Sequence, residues 1–188
     1  MFGLTPLGLF HTAISLIAVI SGLVAMVRDQ AITPDNGIGK LYIVTTVVTC
    51  LTAFGIFQHG GFGKAHVAAV ITLAVLAVAA LAGRFAVFGR ASRYVETIAY
   101  SFTFFIHLIP GVTETATRLP LDAPLLASPD DPALQGTIGA LFVVFVIGAV
   151  LQVLRLRETG RVDARPTQQV KVGKARQASG SSISSRTS

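Results

Sequence analysis

The stretch that decides the fold is residues 4–27, LTPLGLFHTAISLIAVISGLVAMV, which contains no Asp, Glu, Lys or Arg and ends at Arg28. A helix needs about 20 apolar residues to cross the hydrocarbon core of a bilayer. This stretch is therefore long enough to be a membrane span, and its sequence predicts the first of several.

Four further stretches have the same apolar character, and they cover residues 41–57, 66–81, 94–109 and 134–154. The stretch 94–109 is the weakest of them, because it is short and contains Glu96. The pattern predicts an all-α integral membrane bundle of about five transmembrane helices, formed by residues 1–157. Its first partner is therefore the lipid bilayer.

The composition of the whole chain agrees with this prediction. Of its 188 residues, 52% are hydrophobic and only 13% are charged, whereas an ordinary soluble domain carries about 25% charged residues. Such a composition excludes a disordered protein, and it argues against a soluble enzyme, whose surface needs more charge. A single cysteine, Cys50, allows neither an intramolecular disulfide nor a cysteine-based metal cluster.

The positions of Lys and Arg predict the orientation of the chain, because these residues concentrate in cytoplasmic segments. If the N-terminus lies outside, all of the 15 Lys and Arg residues except Lys64 and Arg118 fall on the inner side. We therefore expect an N-out, C-in protein of a bacterial inner membrane.

Residues 158–188 form a basic, serine-rich tail with few large apolar side chains. This composition favours a disordered cytoplasmic tail. Basic residues near anionic headgroups gain about 1 kcal/mol each. The tail therefore explains the net charge of +6 without a nucleic acid partner.

Four histidines fall at the outer ends of four different predicted spans, and they are His11, His59, His66 and His107. Ionisable side chains within membrane spans are rare, and they often mark functional sites. We therefore take the four histidines together as the candidate site.

Helical spacing predicts three polar or small-residue stripes, because residues three and four apart share one face of a helix. A stripe of polar side chains faces lipid only at a high energetic cost, so we expect these stripes to face one another inside the bundle. Span five lacks such a stripe, and we expect it at the edge, packed through Gly139 and Gly148. The three stripes are Glu96, Tyr100, Thr103 and His107 on span four; Thr45, Thr49, Thr52 and His59 on span two; and His11, Ser15, Ala18 and Gly22 on span one.

Three kinds of chemistry suit this arrangement. Two imidazoles on facing helices can ligate the iron of haem b, which predicts a redox protein with a quinone or another membrane redox protein as its partner. Three or four imidazoles, joined by Glu114, can instead hold a single metal ion. In the third case no cofactor binds, and the stripe from Glu96 through Tyr100 and Thr103 to His107 carries protons or lines a substrate path in a transport, accessory or assembly subunit. The residues leave these alternatives open.

One segment of the sequence carries a family resemblance. The run Gly39-Lys40-Leu41-Tyr42, the run from Leu51 to Phe57, and the turn Gly60-Gly61-Phe62-Gly63 with His66 follow one another. Together they resemble a family of uncharacterised bacterial multi-pass membrane proteins, over roughly residues 11–81. The Gly-Gly-Phe-Gly-x-x-His turn is the most specific part. The resemblance implies a multi-span helical fold and brings no known activity.

Overall fold

The computed structural model describes residues 5–56, 61, 63–120 and 123–184, with side chains described as far as Thr159. The described chain is helical and contains no strand. Its elements in chain order are α1 (Pro6–Arg28), α2 (Gly37–Ala53), α3 (Lys64–Phe85), a 3₁₀ turn (Gly89–Ala91), α4 (Ser92–Arg118) and α5 (Pro132–Ser184).

The helices begin and end at residues whose local chemistry explains the boundaries. The Thr5 hydroxyl accepts a hydrogen bond from the Gly8 amide, and Pro6 occupies the first position of α1, where its missing N–H is not needed. The Asn36 side chain caps α2 in the same way, at 2.8 Å from the Gly39 amide. Helix α3 ends at Ala86, which adopts the left-handed conformation with φ 48°.

Residues 1–152 form one compact unit. Within it, α1 packs mainly on α2 and α3 mainly on α4, while smaller interfaces join α2 to α3 and α1 to α4. The core between them combines small residues with a few large rings: Ala18, Ala25, Ile32, Tyr42, Leu76, Ala79, Ala99, Tyr100 and Phe104. Small residues allow the close approach of helices on which association within a membrane depends.

Four helices are long and apolar enough to cross a membrane, and they cover Pro6–Arg28, Lys64–Phe85, Gly89–Arg118 and Pro132–Thr159. Helix α2 is a shorter apolar helix of 17 residues, about 25 Å long. These helices confirm the predicted all-α membrane bundle of about five spans. Its N-out, C-in orientation stays a prediction.

Helix α4 differs from the predicted span 94–109, because it continues through Pro110 to Arg118. Beyond the proline, the Thr113 hydroxyl donates to the Ile109 carbonyl at 2.8 Å, and Glu114 pairs with Arg118 one turn later. Pro110 has no N–H to donate to the Ile106 carbonyl, and the helix continues beyond this missing bond. The loop after α4, which is predicted to lie on the outer side, therefore begins at Leu119 and not at Gly111. The helix expected to be the weakest spans 27 residues.

Within the first unit, α5 contacts α4 through aromatic rings and one amide. Phe145 lies 5.4 Å from Phe102 and 5.6 Å from Phe105, measured between ring centroids. The expected packing through Gly139 and Gly148 is wrong, because a Cβ atom added at either glycine would meet nothing within 4 Å. Large rings stand away from the helix axis, so they make this contact without a close approach of the two backbones.

The second unit comprises residues 153–188. Its backbone is helical as far as Ser184. The composition of residues 158–188, in contrast, favours a disordered tail. Extending an existing helix needs no new nucleation, and the Lys, Arg, Gln and Ala residues of this segment are good helix formers.

Candidate functional site

The polar stripe of α4 lies inside the bundle. Tyr100, Thr103 and His107 are 3%, 0% and 7% exposed, whereas Glu96 at the inner end of the stripe is half-buried. The Thr103 hydroxyl donates to the Tyr100 carbonyl at 2.7 Å. The spacing of the four residues thus predicted a buried face of α4 correctly.

At its middle the stripe is bonded to α2. The Tyr42 phenol lies 2.9 Å from the Thr103 hydroxyl, and Tyr42 is fully buried. The Tyr42 ring stands edge-on to Phe104 with 6.0 Å between the centroids. Gly22 of α1 leaves the space for both rings, since a Cβ atom there would come within 3 Å of each.

At the outer end, the structure brings His11 of α1 close to His107 of α4, so that the two imidazoles interact electrostatically. The His107 ring also hydrogen-bonds to the Ser15 carbonyl. His11 Nδ1 lies 2.8 Å from the Thr52 hydroxyl of α2, and the Thr49 carbonyl lies beside the same ring. The pair therefore joins three helices at one end of the bundle.

A carboxylate completes this end. Glu114 belongs to the extended part of α4 and interacts electrostatically with His11, in addition to its ion pair with Arg118. Glu114 was expected as a possible ligand from the outer loop, but it lies on α4, two turns beyond His107.

His66 has a different local role. It is the third residue of α3, and its Nδ1 atom accepts a hydrogen bond of 3.1 Å from the Gly63 amide at the start of the helix. Its ring also contacts Phe54, with 6.3 Å between the centroids. In this arrangement the Nδ1 lone pair of His66 is used by the contact with the Gly63 amide. Sequence reasoning missed this contact, although a polar side chain at the third position of a helix can reach back to the N-cap amide.

His59, Gly60 and Phe62 lie outside the described residues. Among the residues that the structure describes, no group of three or more His, Cys, Asp or Glu side chains could hold a metal ion. Of the four predicted histidines, the structure thus brings together His11 and His107.

The inner end of the stripe contains Glu96, which packs on α3. A Cβ atom at Gly83 would overlap the Glu96 carboxylate, so only glycine leaves room for it there. Within the described part of the chain Glu96 forms no ion pair, because the nearby Arg93 guanidinium donates to the Tyr94 phenol at 3.0 Å. Asp35 of the α1–α2 loop interacts electrostatically with both Glu96 and Tyr100.

A second buried polar contact was missed by sequence reasoning. Ser101 donates to the Gln152 side-chain carbonyl at 3.0 Å, and the Gln152 amide donates to the Gln30 carbonyl at 2.8 Å. Gln152 thereby ties α5 to α4 and to the α1–α2 loop. The available signal was that Gln152 is the one strongly polar residue towards the end of span five.

Comparison of the chain with known protein families, with curated proteins and with solved structures finds no match.

Proposed function

We propose that this protein is a cofactor-free transport protein, or the transport subunit of a larger complex, that moves protons across the bacterial inner membrane. The observation that carries the proposal is the buried stripe of Tyr100, Thr103 and His107 with Glu96 at its end. Ionisable and hydroxyl side chains inside a membrane bundle are costly, and they typically belong to proton relays or substrate paths.

The order of the groups suits this function. Glu96 exchanges a proton at the inner end of α4, and the imidazoles of His107 and His11 exchange one at the outer end. Between them, the hydroxyls of Tyr100, Thr103 and Tyr42 both donate and accept hydrogen bonds. Eleven residues separate Glu96 from His107, which corresponds to about 16 Å along a helix. This distance is roughly half of the hydrocarbon core.

The electrostatics of the two ends support the same proposal. Glu96 forms no ion pair with a described Lys or Arg, and neither His11 nor His107 forms one with a described carboxylate. A proton can therefore be bound and released at either end without breaking an ion pair. Asp35 on the inner side and Glu114 on the outer side add negative charge beside the two ends, which favours the approach of a proton.

The test is proton flux into liposomes that contain the purified protein and a trapped pH-sensitive dye, under an imposed potential of either sign. We expect flux above that of empty liposomes, and its loss in His107→Phe, which keeps a ring but has no exchangeable proton. His66→Phe alters the cap of α3 and is the matched control, with flux retained. Flux equal to that of empty liposomes in both directions would contradict the proposal.

A second candidate is a redox protein that binds haem b through His11 and His107. The observation that favours it is that each imidazole makes a hydrogen bond to a backbone carbonyl or hydroxyl of a neighbouring helix. Metal-bound histidines are typically held in this way through their second ring nitrogen. His11 and His107 would hold the haem iron, and haem would supply one-electron transfer to a quinone or another membrane redox protein.

An absorption spectrum of the purified protein, oxidised and then reduced, separates the two candidates. The proton-transport proposal expects no visible absorption, even after expression with added haem. A Soret band that shifts on reduction, and that is lost in both His11→Ala and His107→Ala, supports the haem candidate. Metal analysis of the same sample tests the remaining alternative, a single non-haem ion.

A further inference from the structure

Two buried hydroxyls of α2, those of Thr46 and Thr49, make no hydrogen bond of good geometry with the described residues, although the Thr46 hydroxyl interacts with the Tyr42 phenol. Their side chains are well enclosed, since Thr46 is fully buried and Thr49 is 7% exposed. The neighbouring threonines behave differently. Thr45 donates to the Leu41 carbonyl at 2.7 Å, and Thr52 lies 2.9 Å from the carbonyls of its own helix.

These two hydroxyls lie between two contacts that join α2 to other helices. The first contact is the Tyr42–Thr103 hydrogen bond to α4, and the second is the contact between Thr52 and His11 of α1. The positions 42, 46, 49 and 52 follow one another at intervals of four, three and three residues, so they share one face of α2. Thr46 lies beside the Tyr42 phenol, and the Thr49 backbone lies beside the His11 ring.

A buried hydroxyl without a partner is destabilising. In folded proteins such groups are commonly satisfied by buried water molecules, which make about three hydrogen bonds each. A water between Thr46 and Thr49 has polar partners on both sides, because Tyr42 and His11 flank the two threonines. The neighbours named among the described residues are hydroxyls, a phenol and an imidazole, and these groups suit a water molecule.

We propose that Thr46 and Thr49 bind water and form the segment of the proton route between Tyr42 and His11. This inference rests on the proposed function and specifies the path taken in the outer half of the bundle. Each oxygen along the path accepts one proton and releases another, so that one O–H bond forms as the next one breaks. The net result is the transfer of one proton to the His11 ring, without oxidation or reduction.

The experiment uses Thr46→Val and Thr49→Val in the full chain, because valine has the shape of threonine and lacks the hydroxyl. Thr72→Val is the matched control, since Thr72 is also a buried threonine but donates to the Ala68 carbonyl of its own helix at 2.8 Å. Proton flux is measured in liposomes for each variant, and thermal unfolding in detergent shows whether each variant folds.

We expect flux to fall about tenfold or more in Thr46→Val and Thr49→Val, because loss of a hydrogen bond in the relay raises its barrier. Thr72→Val keeps the flux of the wild type. If the two hydroxyls take no part in proton transfer, both variants conduct fully and unfold at a higher temperature. That result overturns this inference but leaves the proposed function standing. A wild type without flux overturns the proposed function together with the route, and the wild-type measurement by itself identifies this case.

Discussion

The Tyr42 phenol of α2 and the Thr103 hydroxyl of α4 lie 2.9 Å apart inside the bundle, and both side chains are fully buried. The two residues are 61 positions apart in the sequence and belong to different helices. The contact therefore fixes the rotation of α4, which in turn keeps His107 and Tyr100 inside the bundle.

Replacement of Tyr42 by Phe tests the contribution of this bond to stability. The ring and its contact with Phe104 remain, and Thr103 still donates to the Tyr100 carbonyl. We therefore expect a loss of only about 1 kcal/mol in the free energy of unfolding, measured by denaturation in detergent. Tyr94→Phe removes a more exposed phenol and should change stability by less than about 0.5 kcal/mol. Equal effects of the two variants would contradict the importance of the buried bond.

Gly22 tests the packing of α1 against the rings. A Cβ atom at this position would lie 2.5 Å from Phe104 Cδ2 and 2.9 Å from Tyr42 Cδ2. Gly22→Ala should therefore destabilise the bundle by about 1–3 kcal/mol. Gly139→Ala is the matched control, because nothing lies within 4 Å of its added Cβ. If Gly22→Ala were neutral, α1 would not approach α2 and α4 as described.

Ala86 tests the boundary between α3 and the following turn. It has φ 48° and ψ 37°, a left-handed conformation that is costly for residues other than glycine. Ala86→Gly should raise stability by about 1 kcal/mol, seen as a higher melting temperature. Ala77→Gly, on an exposed face within the same helix, should lower stability by about 0.5–1 kcal/mol. A destabilised Ala86→Gly protein would show that α3 ends elsewhere.

Asp29, just beyond the end of α1, provides a test by pH. Two hydrogen bonds of 2.8 Å from the Arg28 guanidinium hold the pKa of the Asp29 carboxyl below its usual value of 3.8. Because this pKa is lower in the folded protein than in the unfolded chain, the pair stabilises the fold above about pH 4 and loses its effect as the pH falls through the folded-state pKa. Asp29→Asn should therefore melt slightly below the wild type at pH 6, and the difference should vanish in strong acid. A difference that persists in strong acid would contradict this origin.

The sequence predicted the bundle and the buried face of α4 because both depend on local periodicity. The spacing of Tyr100, Thr103 and His107 is enough to put them on one face, and the length of residues 4–27 is enough to form a span. The extension of α4 was not predictable in the same way. Ile109-Pro110-Gly111 has the pattern of a helix end, but the helix continues past it to Arg118, with Thr113 and Glu114 bonded within the extension.

The residue contacts between different helices were also not predictable from the sequence. The contact between Tyr42 and Thr103 depends on the relative rotation of two helices, which packing of the core decides. The packing of α5 through Phe145 and Gln152 was missed for a related reason. Glycines favour a close approach of helices, but large rings on the neighbouring helix keep the two backbones apart.

The measurement that tests the central claim most directly is proton flux in liposomes that contain the wild type, Glu96→Gln or Glu158→Gln. Glutamine keeps the size and polarity of Glu96 and removes its exchangeable proton, while Glu158 is an exposed carboxylate outside the stripe. The account predicts flux in the wild type and in Glu158→Gln, and flux at the level of empty liposomes in Glu96→Gln. Full flux in Glu96→Gln would contradict the account, because protons would then cross without the acid at the inner end of α4.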